Sequence, residues 1–191
     1  MATISTPEPV KVFVAVLWAD AGALDQARDR LSARWGRIDY EGPDRAFDLT
    51  NYYESEMGSN LLRRLIAFET LRSPEDLTAD KRACIALEAE LTGPGGRRVN
   101  LDVGYLDHNK IVLASIKAAG QKIYLRDGVY ADLVARYAQG RYQPFAWTFP
   151  DFKDGRYDEE LTRMREAYLR ELKKWRKLSP LADASSERGA D

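Results

Sequence analysis

The amino-acid sequence predicts a single α+β domain in which a mainly antiparallel sheet of about six to eight strands carries three packed helices. Apolar and polar residues alternate through most of the block from Arg97 to Phe152, as they do in strands with two different faces. Three other segments repeat apolar residues every three or four positions, which is the spacing of a helix with one buried face. The 191 residues can bury one substantial core and leave little room for a second, so residues 10–178 form the predicted domain.

Composition excludes several classes of site. The formal net charge of −1 provides no overall field that would attract nucleic acid or an anionic membrane, so any anion site must come from local clustering. The single cysteine, Cys84, excludes an internal disulfide, and the single histidine, His108, excludes a histidine-rich zinc site. The N-terminal residues lack the pattern of a secretory signal, and no stretch approaches the roughly 20 apolar residues of a membrane span. We therefore expect a soluble, cytoplasmic protein without membrane contact.

The first half of the chain predicts the order β-α-β-β-α-β. Residues 11–18 are almost continuously apolar, which predicts a central strand covered on both faces, because such a run at an open edge would invite aggregation. Asp20 is placed to cap a helix that runs to residue 35 and ends at Gly36. Two more strands and a second helix follow, at residues 37–40, 61–71 and 74–92. This order, with a strand at 98–103, is compatible with a ferredoxin-like half of the domain.

The second half predicts a β-meander that extends this sheet, and one closing helix. Short connections containing glycine separate strands at residues 98–103, 110–117, 122–126, 129–137 and 142–149. Residues 129–137 also suit a helix, because Ala131-Asp132-Leu133 has no strong strand preference. Residues 158–177 predict the closing helix, since apolar residues recur there at helical spacing. The two ends of the chain, residues 1–9 and 179–191, are predicted to be mobile, the second of them disordered.

Two glutamates in the first half are candidates for chemistry. Glu54 and Glu56 follow a predicted turn and point to the same side if the chain is extended there. Two such carboxylates can hold Mg²⁺ or divide the roles of acid and base. The alternative is a solvated loop in which both carboxylates are simply exposed.

A second group of candidates lies in the strand that begins at residue 98. Alternation buries its apolar side chains and places Asn100 and Asp102 on the opposite face, with Tyr105 beyond them. Gly104 is predicted to end the strand and to permit the close approach of a ligand or of another backbone segment. Asp102 either belongs to a ligand site or only stabilises the corner through an Asx-turn.

Basic residues mark the ends of the next two predicted strands. A hairpin centred on residues 118–121 would bring Lys117 and Lys122 close together, with Lys110 and Arg126 at the far ends. Like charges at short distance favour an anion between them, so a phosphate or carboxylate ligand would resolve the conflict. Solvation of two flexible lysines would resolve it as well.

The segment Trp-Thr-Phe-Pro-Asp-Phe at residues 147–152 predicts ordered structure packed over the sheet near residues 100–105. Its three large rings are each worth on the order of 2–3 kcal/mol when buried, so we expect them to be buried together. Asp151 then either caps the turn within a hydrophobic clasp or enters the ligand site.

Six short motifs are specific in combination. They are P-V-K-V-F at 9–13, Y-Y-E-S-E-M-G at 52–58, V-N-L-D-V-G-Y-L at 99–106, K-I-V-L-A at 110–114, I-Y-L-R-D-G-V-Y-A at 123–131 and W-T-F-P-D-F at 147–152. Over roughly residues 10–170 the chain resembles the bacterial and archaeal family DUF4416, a domain of unknown function. Val103, Ala118 and the pair Gln121-Lys122 depart from the family pattern, and the last change argues against a histidine-based mechanism at the hairpin. The resemblance implies where a site lies and implies no particular chemistry.

The leading hypothesis is a small enzyme or ligand-binding domain for an anionic ligand, a nucleotide or another phosphate ester, with Mg²⁺ as a suitable cofactor. The candidate catalytic residues are Glu54, Glu56, Asp102 and Lys117. The candidate ligand-binding residues are Asn100, Tyr105, Lys110, Lys122, Tyr124 and Asp151. The hypothesis requires these residues to converge. The alternative is a non-enzymatic module that binds RNA or a protein through a tyrosine-rich sheet face, although the net charge disfavours nucleic acid.

Overall fold

The computed structural model describes residues 4–178, which form a nine-stranded sheet with helices on both faces. The strands are β1 Lys11–Trp18, β2 Ile38–Glu41, β3 Arg45–Ala46, β4 Leu62–Phe68, β5 Val99–Leu106, β6 Lys110–Ser115, β7 Ile123–Arg126, β8 Val129–Ala138 and β9 Arg141–Pro144. The helices are α1 Ala21–Trp35, α2 Glu54–Met57, α3 Leu77–Glu90, α4 Pro150–Lys153 and α5 Asp158–Leu178. The predicted disordered tail at 179–191 lies outside the described residues.

The strand order confirms the predicted α+β fold and its ferredoxin-like half. The order along the sheet is β2-β4-β1-β5-β6-β8-β7, and every neighbouring pair is antiparallel. The first four strands of this order, joined through α1 and α3, have the ferredoxin-like arrangement. No helix within residues 4–178 has the length and apolar character needed to cross a membrane.

The core has two layers, one on each side of the sheet. Alternate residues of β1, such as Val14 and Val16, pack toward α1 and α3, whereas Phe13 and Ala15 pack toward α5. The whole of β1 is buried, with β4 on one side and β5 on the other. The prediction of a central strand covered on both faces is therefore confirmed.

The predicted hairpin at residues 118–121 is wrong, because β8 lies between β6 and β7 and pairs with both. The two-residue turn at Asp127-Gly128, with φ of 53° and 75°, has the conformation that joins adjacent antiparallel strands, and it pairs β7 with β8. Residues 129–138 are a strand rather than a helix. The strand predicted over 142–149 ends at Pro144, because Thr148 Oγ1 donates to the carbonyl of Val134 and folds the chain into a turn.

Strands β5 and β6 pair only at one end. Gly104, Tyr105 and Leu106 lie opposite Leu113, Val112 and Ile111, and no β6 residue pairs with the earlier part of β5. A Cβ atom on Gly104 would lie 2.3 Å from the carbonyl oxygen of Val112, so glycine permits this close contact. The strand continues to Leu106, so the prediction that Gly104 ends it is wrong, whereas the predicted approach of another backbone segment is confirmed.

Replacing Gly104 with alanine should therefore lower the free energy of unfolding by about 1–3 kcal/mol, because two backbones must move apart. Gly120→Ala is the matched control, since a Cβ at that position would meet nothing within 4 Å. Chemical denaturation of both variants checks this. Equal stability of the two variants would show that β5 and β6 do not meet at Gly104.

A buried charge cluster fixes α5 to the sheet. The ammonium of Lys11 is fully buried and lies 2.8 Å from Asp39 Oδ2 of β2 and 2.9 Å from Glu171 Oε2 of α5. It also donates to the carbonyl of Phe68, at 3.0 Å. Burial, together with the hydrogen bond that a protonated Glu171 donates to the Asp39 carboxylate, raises the pKa of the Glu171 carboxyl from its ordinary 4.5 to about 7, although Lys11 opposes the shift.

This raised pKa makes stability depend on pH. The folded state holds the Glu171 proton more tightly than the unfolded chain, so the stability that this proton contributes is present below pH 4.5 and is lost as the pH rises through 7. Glu171→Gln, which cannot titrate, should flatten the stability profile between those two values. Denaturation midpoints measured at several pH values check this, and parallel profiles for the variant and the parent chain would contradict it.

Candidate functional site

A cavity of about 280 Å³ opens where β5 and β6 diverge, and we call it the fork cavity. Its walls come from β5, β6, β8 and α3, and its mouth comes from Tyr52 and Phe149 in two loops. The divergence of two strands therefore produces a recess lined by strand residues that would otherwise pair.

Side chains of α3 take the place of the missing strand partner. Lys81 Nζ donates to the carbonyl of Leu101 at 3.1 Å, and Glu88 Oε1 accepts from the backbone N–H of Leu101 at 2.6 Å. Burial raises the pKa of the Glu88 carboxyl. These two contacts satisfy buried backbone groups that would be costly to leave unpaired, so they hold the fork open.

Asn100 has an unsatisfied donor in this cavity. Its side chain lines the cavity and the residue is 4% exposed. Oδ1 accepts from Arg97 Nη1 at 2.8 Å, and a guanidinium only donates, so the orientation of the amide is fixed. Nδ2 is buried and has no hydrogen-bond partner among the described residues. A buried donor of this kind calls for an acceptor in the cavity.

The charges around the fork cavity are unequal. Three of the basic side chains form ion pairs. Lys81 lies 3.9 Å from Asp102, Arg97 lies 2.5 Å from Glu56, and Lys122 lies 3.3 Å from Asp132. Lys117 forms none among the described residues. Its Nζ lies 2.5 Å from the Tyr52 hydroxyl and 4.1 Å from the centroid of that ring. Four basic side chains and three carboxylates line the cavity, and Glu56, which is outside the lining, pairs with Arg97. Lys117 is therefore the basic group of the lining that has no carboxylate partner within residues 4–178.

Behind the cavity, a buried arginine links two predicted site residues. Arg63 donates to Asp102 Oδ2 at 3.1 Å and to Asp151 Oδ2 at 2.5 Å, and its guanidinium lies 4.5 Å from the ring centroid of Phe47. Tyr157 also donates to Asp151 Oδ2, at 3.2 Å. Asp102 lines the cavity and Asp151 does not, so Asp151 acts on the site only through Arg63, which contacts Asp102.

Residues 8–168 match the family described as a domain of unknown function, DUF4416. The chain belongs to this family. A search of curated proteins and a search of solved structures each found no match.

In this DUF4416 domain the predicted site residues converge only in part. Those that line the fork cavity are Asn100, Asp102, Lys117 and Lys122. Glu56 is one contact away, through Arg97, and Asp151 is two contacts away, through Arg63 and Asp102. Those placed elsewhere are Glu54, exposed on α2, Tyr124, exposed on β7, and Tyr105 and Lys110, which line a different surface pocket. Lys117 and Lys122 share a cavity without sharing a hairpin.

The glutamate pair is not arranged as predicted. Glu54 and Glu56 lie in the helical turn α2, where side chains two positions apart point to different sides. Within residues 4–178 no group of three or more His, Cys, Asp or Glu side chains could hold a metal ion. The cavity carboxylates Glu88, Asp102 and Asp132 each contact a lysine or an arginine. This donor set does not fit a Mg²⁺ ion held by the protein, so we assign the metal no role.

Several residues that line the cavity were not among the predicted site residues. Lys81 and Glu88 are spaced seven apart in the α3 stripe Leu77, Lys81, Cys84, Glu88 and Leu91, all of whose members are buried. Two charged residues inside an otherwise apolar helical stripe were a detectable signal, because buried charges are rare without partners. Arg97, Asp132 and Tyr53 had no such signal. Burial, with the nearby Asp102 charge, raises the pKa of the Tyr53 hydroxyl, so it stays a neutral donor.

The tyrosines of the DUF4416 sheet do not share one face. Tyr142 is buried in the layer beneath α5, Tyr105 packs toward α3, and Tyr124 is exposed on the edge strand β7 against Tyr130. These three tyrosines therefore lie in three different environments: one core layer, the other core layer and an exposed edge strand.

The segment at 147–152 is ordered as predicted but only partly buried. Phe152 packs in the core, whereas Trp147 and Phe149 are 48% and 47% exposed, so the prediction that all three rings bury together is wrong. Pro150 begins α4 and ends extended structure at Phe149, which leaves that ring at the mouth of the fork cavity. Asp151 pairs with Arg63 instead of capping a turn through its side chain.

Proposed function

We propose that the fork cavity binds a small organic anion, and that a phosphate ester is the ligand class that fits it best. The observation that carries this proposal is the buried Nδ2 of Asn100, which has no acceptor among the described residues. A phosphate or carboxylate oxygen supplies the missing acceptor, and a charged acceptor makes a stronger hydrogen bond than a neutral one.

The electrostatics of the cavity support an anion over a neutral ligand. Lys117 has no carboxylate partner among residues 4–178. Lys122 lines the same cavity and donates to Ser115 Oγ at 2.9 Å. A group with several oxygens can accept from Asn100 and from a lysine at the same time. The cavity volume of about 280 Å³ suits a ligand at the small end of the usual range.

A thermal-shift and calorimetric screen tests the proposal, using inorganic phosphate, ribose 5-phosphate and a neutral sugar, each with and without Mg²⁺. A ligand at 100 times its Kd should add about 2.7 kcal/mol of stability. We expect the two phosphates to stabilise the protein and the neutral sugar to have no effect. Failure of both phosphates at millimolar concentration would contradict the proposal.

Single-stranded RNA serves as a comparison in the same screen, because its phosphates would contact the same lysines. RNA held through phosphates should lose affinity steeply as salt rises. We expect ribose 5-phosphate to displace the RNA from the cavity. We also expect the affinity of the RNA, divided by its number of phosphates, to be no higher than that of ribose 5-phosphate. Tight, salt-sensitive RNA binding that ribose 5-phosphate cannot displace would favour the nucleic-acid alternative.

Lys117→Met should weaken the binding of ribose 5-phosphate about tenfold, because it removes the charge that has no carboxylate partner and keeps most of the apolar stem. Asn100→Asp, which keeps Oδ1 for Arg97 and replaces the donor with an oxygen, should weaken it at least as much. Lys173→Met, on the exposed side of α5, is the matched control and should leave affinity unchanged. Calorimetric Kd values check this, and equal losses in Lys117→Met and Lys173→Met would place the ligand elsewhere.

A further inference from the structure

Resting on the proposed anion site, we infer that the ligand also carries a planar aromatic ring, and that this ring stacks at the cavity mouth on Tyr52 or Phe149. The ligand class is then an aryl or nucleobase-bearing monophosphate, of which a nucleoside monophosphate is the plainest example.

The mouth of the fork cavity is apolar and uncovered. Tyr52 is 56% exposed and Phe149 is 47% exposed, and both line the cavity. The side chains of Ile116 and Ile85 lie at the same cavity and are also exposed. Exposed apolar groups at the rim of a polar recess are typical of a binding site for a ligand with one apolar part.

The Tyr52 ring is positioned rather than loose. It packs edge-to-face on Tyr53, with centroids 4.9 Å apart and an interplanar angle of 85°. Tyr53 in turn packs against Phe47, at 5.9 Å, and Arg97 lies 5.4 Å from its centroid. The opposite aromatic side chain, Phe149, precedes Pro150, which restricts its backbone to the extended conformation that is observed.

Each mouth ring lies beside one of the cavity lysines. The Lys117 ammonium is 4.1 Å from the Tyr52 centroid, and the Lys122 ammonium is 6.0 Å from the Phe149 centroid. A ligand whose anionic group reaches a lysine therefore carries any attached ring into contact with an aromatic face. Any nucleobase can stack on such an aromatic face, because every base has a π-face.

Charge and volume favour one phosphate over three. The basic side chains that line the cavity exceed the carboxylates that line it by one, before Glu56 beside Arg97 is counted, and the cavity holds about 280 Å³. A triphosphate would bring more negative charge than this excess can neutralise, and it would extend beyond the recess. The geometry therefore points to a monophosphate.

Calorimetry with adenosine 5′-monophosphate, ribose 5-phosphate, adenosine and adenosine 5′-triphosphate tests the inference. We expect the nucleoside monophosphate to bind at least tenfold more tightly than ribose 5-phosphate, since stacking supplies the difference. It should also bind more tightly than adenosine and the triphosphate. The double variant Tyr52→Ala/Phe149→Ala should remove the advantage of the ring. Phe149→Ala alone should reduce that advantage or leave it unchanged, and should keep the affinity for ribose 5-phosphate within about twofold, because Tyr52 and not Phe149 contacts Lys117 through a hydrogen bond.

Tyr124→Ala is the matched control, because this tyrosine is equally exposed but lies outside the cavity on β7. It should leave every affinity unchanged. Equal affinity of the parent chain for the nucleoside monophosphate and for ribose 5-phosphate would overturn the ring and leave the anion site standing. Binding of adenosine as tight as that of its monophosphate, or no binding of any phosphate, would overturn the proposed function as well.

Discussion

Lys11→Met should lower the free energy of unfolding by about 3–5 kcal/mol, which is the usual cost of removing one partner from a buried charge cluster. The Lys11 ammonium is fully buried between Asp39 and Glu171, and it also pairs with the carbonyl of Phe68. Methionine leaves the two partly buried carboxyl groups of Asp39 and Glu171 facing each other without a cation. One of them must then take up a proton or draw water into the layer between the sheet and α5.

Chemical denaturation with an unchanged m-value checks this prediction. Lys173→Met on the exposed side of the same helix is the control and should change stability by less than about 0.5 kcal/mol. Adding Asp39→Asn and Glu171→Gln to Lys11→Met should recover part of the loss, because the uncompensated charges disappear. A loss below about 1 kcal/mol in the single variant would show that the cluster does not hold α5 to the sheet.

Asp151→Asn should lower stability by roughly 3 kcal/mol and leave ligand affinity within about twofold. The carboxylate is buried, accepts from Arg63 and Tyr157, and lies outside the fork cavity. Asparagine keeps the shape but removes the charge that balances Arg63, whose remaining ionic partner among the described residues is then the partly exposed Asp102. The effect should therefore fall on folding and spare binding.

The same two measurements on Asp102→Asn provide the contrast, because Asp102 faces both Arg63 and the fork cavity. That substitution should change ligand affinity, with a smaller loss of stability than in Asp151→Asn. If Asp151→Asn kept its stability and lost binding, Asp151 would be a ligand-binding residue, which would contradict its position behind the cavity.

The sequence predicted the elements whose pattern is local. The apolar run of β1 predicted a strand covered on both faces, and all of its residues are buried. Asp20 was predicted to cap α1, and its carboxylate accepts a hydrogen bond from the N–H of Ala23. The helical periods of α1, α3 and α5 also identified which faces would be buried.

Strand partners were harder to predict, because pairing depends on turns and not on the strands alone. Lys117 and Lys122 were expected to meet in a hairpin, yet the tight Asp127-Gly128 turn pairs β7 with β8 and inserts β8 next to β6. The two lysines still share a cavity, but for a reason that no local pattern contains. β5 and β6 pair only from Gly104 to Leu106 of β5, and side chains of α3 enter the gap beside the unpaired residues 99–103.

The candidate site was therefore only half predictable. Asn100 and Asp102 followed from strand alternation, since they alternate with Val99, Leu101 and Val103, which pack in the core layer of α1 and α3. Arg97 lies three residues before Asn100, whose amide it fixes, and Asp132 pairs with Lys122, but the folded strands and loops around them decide whether these side chains meet. Contacts of this kind arise from tertiary packing, and one sequence does not specify them.

The side-chain amide of Asn100 can be observed directly by NMR, which shows whether the fork cavity binds an anion through this group. The chain has four asparagines, so the Asn100 signal in an amide-detected NMR spectrum can be assigned by its loss in Asn100→Asp. Titration with ribose 5-phosphate should shift the Asn100 signal saturably and leave those of Asn51, Asn60 and Asn109 unchanged. An Asn100 signal that stays fixed, whether other signals move or not, would contradict anion binding through Asn100.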